Sequence, residues 1–111
     1  MEMTCEKMIL AILSGSDASE VVHALNDRGF YATLLSSTGG FLQKKSVTLM
    51  IGLAAERLND ALGILKDHAG ERMETTFLSS SGMAGLPPMP VKVQTGGIVV
   101  FVLNVESCAK Y

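Results

Sequence analysis

An α+β fold with two helices on one side of an antiparallel sheet is what this 111-residue sequence predicts. The first observation is the order of its apolar stretches, which is strand, helix, strand, strand, helix, strand. That order is the ferredoxin-like split βαβ arrangement. The second observation is the Gly96-Gly97 pair near the end of the chain, which separates two further β-rich stretches. Such a pair predicts an additional C-terminal β-hairpin.

Each element has its own signal. Residues 7–14 form a continuous apolar run of strand length. Asp17 followed by Glu20 resembles a helix-capping pair, and Gly29 stands where that helix would end in a left-handed turn. The remaining predicted elements are strands at 30–37 and 46–53, a helix at 55–69, a strand at 72–78, a long loop at 79–90, and hairpin strands at 91–95 and 98–106.

Three strands are apolar on both of their alternating sets of positions: 7–14, 46–53 and 98–103. Right-handed crossovers would place both helices on one face of the sheet and leave the other face open. Strands that are apolar on both faces are typical of sheets that are covered on both faces. We therefore expect a second copy of the chain to cover the open face, so that the protein is a homo-oligomer.

Composition narrows the functional classes. Hydrophobic residues make up 48% of the chain and charged residues 18%, which predicts one folded domain over residues 1–111. The net charge of -2 argues against a nucleic-acid polymer as partner. No apolar run is long enough to cross a bilayer, and the acidic start does not resemble a signal peptide. We expect a cytoplasmic protein without a membrane partner.

Residues suited to catalysis or metal binding are sparse. The chain contains no recognisable nucleophile motif, phosphate-binding loop or metal-binding motif. Cys5 and Cys108 lie near opposite ends, and we expect reduced cytosolic cysteines. His23 and His68 fall on the predicted helices, away from the apolar stripes, and we expect them in solvent. The prediction is a protein that is not an enzyme and has no catalytic residue, metal or cofactor.

The loop between the second and third predicted strands is the strongest candidate binding site. Gly39 and Gly40 would let backbone N–H groups approach an anion, while Phe41 and Leu42 offer a surface for stacking a base. Lys44 and Lys45 add positive charge nearby. This combination indicates a nucleotide or another flat anionic ligand. The alternative is a loop whose phenylalanine packs into the core of its own subunit.

Three segments, GFYATLLSSTGGFL, TLMIG and PMPVKVQTGGIVVFVLNVE, resemble the PII-like cyclic-di-AMP receptor family of bacteria. The resemblance covers nearly the whole chain from Lys7. It implies a homotrimer of ferredoxin-like subunits that holds the nucleotide in clefts between subunits. It also implies mobile loops that report the ligand to a downstream protein. Cyclic di-AMP, or a related adenine nucleotide, is the ligand expected.

Carried over position by position, the resemblance implies these ligand-binding residues: Thr33, Gly39, Gly40, Phe41, Leu42, Ser46, Gly52 and Phe101. Two positions depart from the family pattern. Tyr31 stands where the family commonly has arginine, and Ser46 where it commonly has asparagine. We expect these two residues to weaken binding of cyclic di-AMP, because tyrosine lacks the guanidinium fork that suits a phosphate.

Two alternatives remain open. The first is a protein-interaction module of the same fold whose nucleotide site has decayed. The second is a metal-binding trimer in which Cys5, Cys108 or the histidines act as ligands.

Overall fold

The computed structural model describes residues 5–35, 46–78, 85 and 87–111. The elements are β1 (Lys7–Ser14), α1 (Gly15–Asp27), β2 (Ala32–Leu35), β3 (Ser46–Leu53), a 3₁₀ turn (Ala55–Arg57), α2 (Leu58–Ala69), β4 (Arg72–Leu78), β5 (Met89–Thr95) and β6 (Ile98–Asn104). The predicted α+β class with two helices is confirmed. The predicted glycine-rich loop, with Gly39, Gly40, Phe41 and Leu42, lies outside the described residues, as does most of the loop at 79–90.

The main sheet has the strand order β2-β3-β1-β6, with antiparallel neighbours throughout. Alternate residues of β1 and β3 are buried, among them Ile9 and Ile51, both fully inaccessible to solvent. These residues form one core with Val21 and Leu25 of α1 and Leu65 of α2. Both helices therefore cover the same face of the sheet.

The opposite face of the main sheet, which we call the open face, is also apolar. It is formed by the other alternating set of residues, which are Met8, Leu10, Ile12, Ser14, Thr33, Leu35, Ser46, Thr48, Met50, Gly52, Val99, Phe101 and Leu103. Val99 is 55% exposed, Phe101 is 53% exposed and Ile12 is 38% exposed. The prediction of strands that are apolar on both faces is confirmed.

The prediction of a C-terminal hairpin is wrong, because β5 and β6 do not pair with each other. β5 pairs with β4, from Arg72 opposite Thr95 to Leu78 opposite Met89. β6 pairs instead with β1 and becomes an edge strand of the main sheet. The predicted fourth strand therefore exists as β4 but belongs to a separate two-stranded sheet.

Gly96 and Gly97 carry the chain from one sheet to the other. Both have positive φ, +77° and +108°, as a tight turn requires. The Gly97 N–H donates to the Ala69 carbonyl at 2.8 Å. A Cβ atom on Gly96 would lie 2.5 Å from the Gly70 carbonyl oxygen. The two glycines therefore pack against the end of α2. This contact directs β6 away from β5 and into the main sheet, where it pairs with β1.

β4 and β5 together form what we call the arm. Both of its faces expose apolar side chains. Met73 and Phe77 lie on one face, and Met89 and Val93 lie on the other. These side chains are between 42% and 68% exposed. The longest dimension of the molecule is 65 Å.

Asp17 does not cap α1 as predicted, because its carboxylate is engaged elsewhere. The helix begins at Gly15 after Ser14, and Asp17 is only 5% exposed. Its carboxylate accepts hydrogen bonds from Arg72 Nη2 at 2.7 Å and Nη1 at 3.4 Å. Arg72 also donates to Glu74 at 2.9 Å. The hydrogen bonds to Asp17, then those to Glu74, raise the pKa of Arg72 above its ordinary value.

We expect Asp17→Asn to lower the thermal midpoint by about 5 °C, because a buried charged hydrogen bond joins α1 to the base of the arm. Differential scanning calorimetry of the variant measures this shift. Glu74→Gln is the matched control, since it removes the more exposed carboxylate bound to the same arginine. Its midpoint should change by about 1 °C or less. Equal shifts for both variants would contradict a special role for Asp17.

Candidate functional site

Four of the predicted ligand residues, Thr33, Ser46, Gly52 and Phe101, belong to the open face. Thr33 pairs with Met50 in β3, Met50 pairs with Leu10 in β1, and Leu10 pairs with Phe101 in β6. Thr33 and Phe101 therefore stand at the two ends of one row that crosses the whole sheet. Gly52 lies one row away, opposite Met8.

Ser46 lies at the other end of β3. It pairs with Ser14 at the last position of the β1–β3 ladder. It lies six positions along the strand from Gly52, which corresponds to about 20 Å. Within one chain the described candidate residues thus form two groups, one near Gly52 and one at Ser46. They do not converge on a single point.

A pocket of about 280 Å³ adjoins Gly52, and we call it the corner pocket. Its lining is formed by the end of the α1–β2 turn and the start of the second helical segment, namely Gly29, Phe30, Tyr31, Gly52, Leu53, Ala54 and Arg57. Gly29 has a φ of +82°, so the predicted left-handed turn is confirmed. Tyr31 lines the corner pocket and is 85% exposed.

Arg57 brings positive charge to the corner pocket. Its guanidinium carbon lies 4.0 Å from the centre of the Phe30 ring, a cation–π contact. The same group donates a hydrogen bond to the Arg28 carbonyl. A guanidinium has five N–H donors, so it suits a phosphate or another anion. Arg57 carries no sequence signal as a site residue, because only folding brings it beside Tyr31.

Gly52 is in close contact with the N-terminal segment. A Cβ atom at this position would lie 2.7 Å from the Cys5 sulfur, nearer than real Cβ atoms approach. Any side chain here would have to displace Cys5. The glycine therefore allows the chain before β1 to pass over the open face at the edge of the corner pocket.

A second pocket of about 340 Å³, the Ser46 pocket, occupies the opposite end of the sheet. Its lining combines the ends of β1 and β3 with the turn between the two sheets, namely Ile12, Leu13, Ser14, Ser46, Glu71, Gly96, Gly97, Ile98 and Val99. Ser46 and the corner pocket thus belong to different ends of the subunit.

Cys5 and Cys108, which lie near opposite ends of the sequence, come close together in the folded chain. Burial, and then the interaction with Cys108, raises the pKa of the Cys5 thiol. The expectation that His68 is solvated is only partly right, because it is 35% exposed and its Nδ1 lies 3.0 Å from the Glu20 carboxylate. In the described part of the chain, no three His, Cys, Asp or Glu residues are grouped so that they could hold a metal.

For the described residues, neither helix has the length and apolarity that a membrane span requires.

Comparison with known proteins gives concordant results. A family model described as "Cyclic-di-AMP receptor" matches residues 6–111. A crystal structure of a functionally unknown protein from Pediococcus pentosaceus ATCC 25745 is 35% identical, with a TM-score of 0.78. That comparison covers 98% of this chain and 100% of the other.

A more distant likeness concerns the fold alone. The structure of CPII bound to ADP, AMP and acetate, from Thiomonas intermedia K12, is 13% identical, with a TM-score of 0.50. It covers 96% of this chain and 94% of that one. The fold is thus PII-like. With the family model matching nearly every residue, this chain belongs to the cyclic-di-AMP receptor family.

Proposed function

We propose that this protein is a cytoplasmic signal-transduction receptor, without enzyme activity, for cyclic di-AMP or a related adenine nucleotide. It binds the nucleotide in clefts between the subunits of a homotrimer, and its loops signal to a downstream protein. The observation that carries the proposal is the placement of Thr33, Gly52 and Phe101. In a chain of this family, these three candidate positions share the open face of the main sheet, and both described helices pack on the opposite face.

Exposed apolar side chains on the open face and on the arm support the proposed homotrimer. Val99 and Phe101 are more than half exposed on the open face, and Met73 and Phe77 are more than 60% exposed on the arm. Contiguous exposed apolar residues of this kind mark interaction surfaces. A second copy of the chain covers them in the proposed assembly. The number of subunits, three, follows from the family resemblance.

The separation of the two candidate groups supports a site between subunits. Ser46 and Gly52 lie about 20 Å apart along β3, which is too far for both to contact one small ligand. Each chain would instead contribute its Ser46 end to one cleft and its Gly52 end to another. Every cleft is then complete only in the assembly.

The chemistry of the described groups fits an adenine nucleotide. Phe101 offers an exposed ring on which a base can stack, and Arg57 offers a guanidinium for a phosphate. We propose that Arg57 supplies the charge that the family commonly places at the position of Tyr31. The two side chains line the same corner pocket, so one can substitute for the other in reaching an anionic group.

We expect Arg57→Ala to weaken cyclic di-AMP binding about 10-fold or more, the effect of losing a charged hydrogen bond to phosphate. Arg28→Ala is the matched control, because it removes the same charge from a residue outside the corner pocket. Isothermal titration calorimetry of both variants measures the difference. Equal losses of affinity would show that Arg57 acts only through the overall charge of the protein.

A thermal-shift screen tests the proposed function against its alternatives. The ligands are cyclic di-AMP, cyclic di-GMP, ATP and divalent metal ions. At 100 times its dissociation constant, a ligand stabilises the folded state by about 2.7 kcal/mol, so a specific nucleotide gives a clear shift. We expect cyclic di-AMP to give the largest one. A shift with metal ions alone would favour the metal-binding alternative. No shift with any of these ligands would favour the protein-interaction module.

A further inference from the structure

The two ends of the described chain meet beside β1. Lys7 is paired with Asn104 at the last position of the β1–β6 ladder. Beyond that pair, the Val105 N–H donates to the Glu6 carbonyl at 3.0 Å, so the strands continue side by side for one more residue. The segment after Val105 therefore starts its path directly next to the segment that contains Cys5.

This path brings the only two cysteines of the chain together. Cys5 lies one residue before Glu6, and Cys108 lies three residues after Val105. Burial, and then the interaction with the nearby Cys108 thiol, raises the pKa of the Cys5 thiol, and the Cys5 sulfur lies 3.7 Å from the Lys7 carbonyl oxygen. Both residues are partly buried and both thiols are free. A small oxidant can therefore reach them, and each thiol has the other close enough to interact with it.

We infer that Cys5 and Cys108 are a modification site, at which a low-molecular-weight disulfide converts the two thiols into one intramolecular disulfide. Neither cysteine belongs to the proposed ligand set, although the Cys5 sulfur lies against Gly52 of that set, where a Cβ atom would lie 2.7 Å from it.

The reaction is a thiol–disulfide exchange in two steps. The thiolate of one cysteine attacks a sulfur of the reagent RSSR, forms a mixed disulfide and releases one RS⁻. The second cysteine thiolate attacks the protein sulfur of that mixed disulfide and releases the other RS⁻. The two thiols lose two electrons and two protons, and RSSR becomes two RSH. Burial, then the interaction with Cys108, raises the pKa of Cys5, so the exchange should accelerate as the pH rises.

The disulfide would join the two ends of the folded chain. A link between residues 5 and 108 closes a ring that includes nearly the whole sequence, and long rings restrict the unfolded chain most. The native fold already brings the two chain segments together through the Val105–Glu6 hydrogen bond, so oxidation should add constraint and little strain. We therefore expect the thermal midpoint of the oxidised protein to rise by about 5 °C or more.

The test uses the full chain and oxidised glutathione as the probe. After incubation, intact-mass spectrometry should show the native chain lighter by two hydrogen atoms and free of bound glutathione. Peptide mapping should show Cys5 linked to Cys108, and a non-reducing denaturing gel should show single chains. Cys5→Ser and Cys108→Ser serve as matched controls. Each should retain one glutathione as a stable mixed disulfide, because the second thiol is missing.

Two results would overturn the inference. One is a native chain that carries a glutathione on each cysteine, which would mean that the thiols do not reach each other. The other is a linkage between separate chains on the non-reducing gel, which would place the partner cysteine in another subunit.

Discussion

Val99→Asp separates the assembly into single chains, with association weakened roughly 100-fold or more. Val99 is 55% exposed on the open face, where the proposed second copy packs. An unpaired carboxylate buried at an interface costs several kcal/mol, and each 1.4 kcal/mol corresponds to a factor of ten. Sedimentation velocity over a concentration series measures the change directly.

Val102→Asp is the matched control for this prediction. Val102 is on the same strand and is 44% exposed, but it belongs to the alternating set opposite the open face. The same charge at that position should leave the assembly intact. Native protein that sediments as a stable monomer at micromolar concentration would contradict the proposed assembly. So would equal dissociation by both variants.

Phe41→Ala has the second large effect, on nucleotide binding. Phe41 is the aromatic residue of the glycine-rich loop, and its expected role is to stack against adenine. Loss of a base–aromatic stack costs about 1–3 kcal/mol, so affinity for cyclic di-AMP should fall about 5-fold to 150-fold. Isothermal titration calorimetry of the native protein and the variant gives both dissociation constants.

The stability of the same variant separates the two expectations for this loop. A phenylalanine at the edge of a ligand cleft changes the free energy of unfolding little when it is shortened to alanine. A phenylalanine in the core of its own subunit leaves a cavity, and its loss costs about 3–5 kcal/mol of stability. A large loss of stability with unchanged affinity would show that Phe41 is a core residue.

Local patterns in the sequence were sufficient to predict where helices and strands occur. The continuous apolar run 7–14 became β1, Gly29 adopted its left-handed turn, and the spacing of apolar residues between 55 and 69 produced the second helical segment. Each of these signals depends on residues that are close in sequence. The apolar open face was also predictable, because alternation within a single strand records both faces at once.

Pairings between distant residues were not predictable from these patterns. Gly96-Gly97 satisfies the backbone of a hairpin turn, but whether β5 turns back onto β6 depends on the end of α2 and on β4. Asp17 and Glu20 have the spacing of a helix-capping pair. The Asp17 carboxylate instead accepts a hydrogen bond from Arg72, which lies 55 positions away. For the same reason neither Arg57 in the corner pocket nor the proximity of Cys5 to Cys108 had a sequence signal.

The central claim is that the native protein binds cyclic di-AMP at sites that the assembly completes. Isothermal titration calorimetry with cyclic di-AMP tests it most directly when native protein, Val99→Asp and Val102→Asp are titrated side by side. We predict saturable binding of one nucleotide per chain to the native protein and to Val102→Asp. The affinity for cyclic di-GMP should be at least about 10-fold lower. Val99→Asp, as a monomer, should give no binding heat. Folded, assembled native protein that gives no binding heat with cyclic di-AMP would contradict the claim, and so would full affinity in a monomeric Val99→Asp.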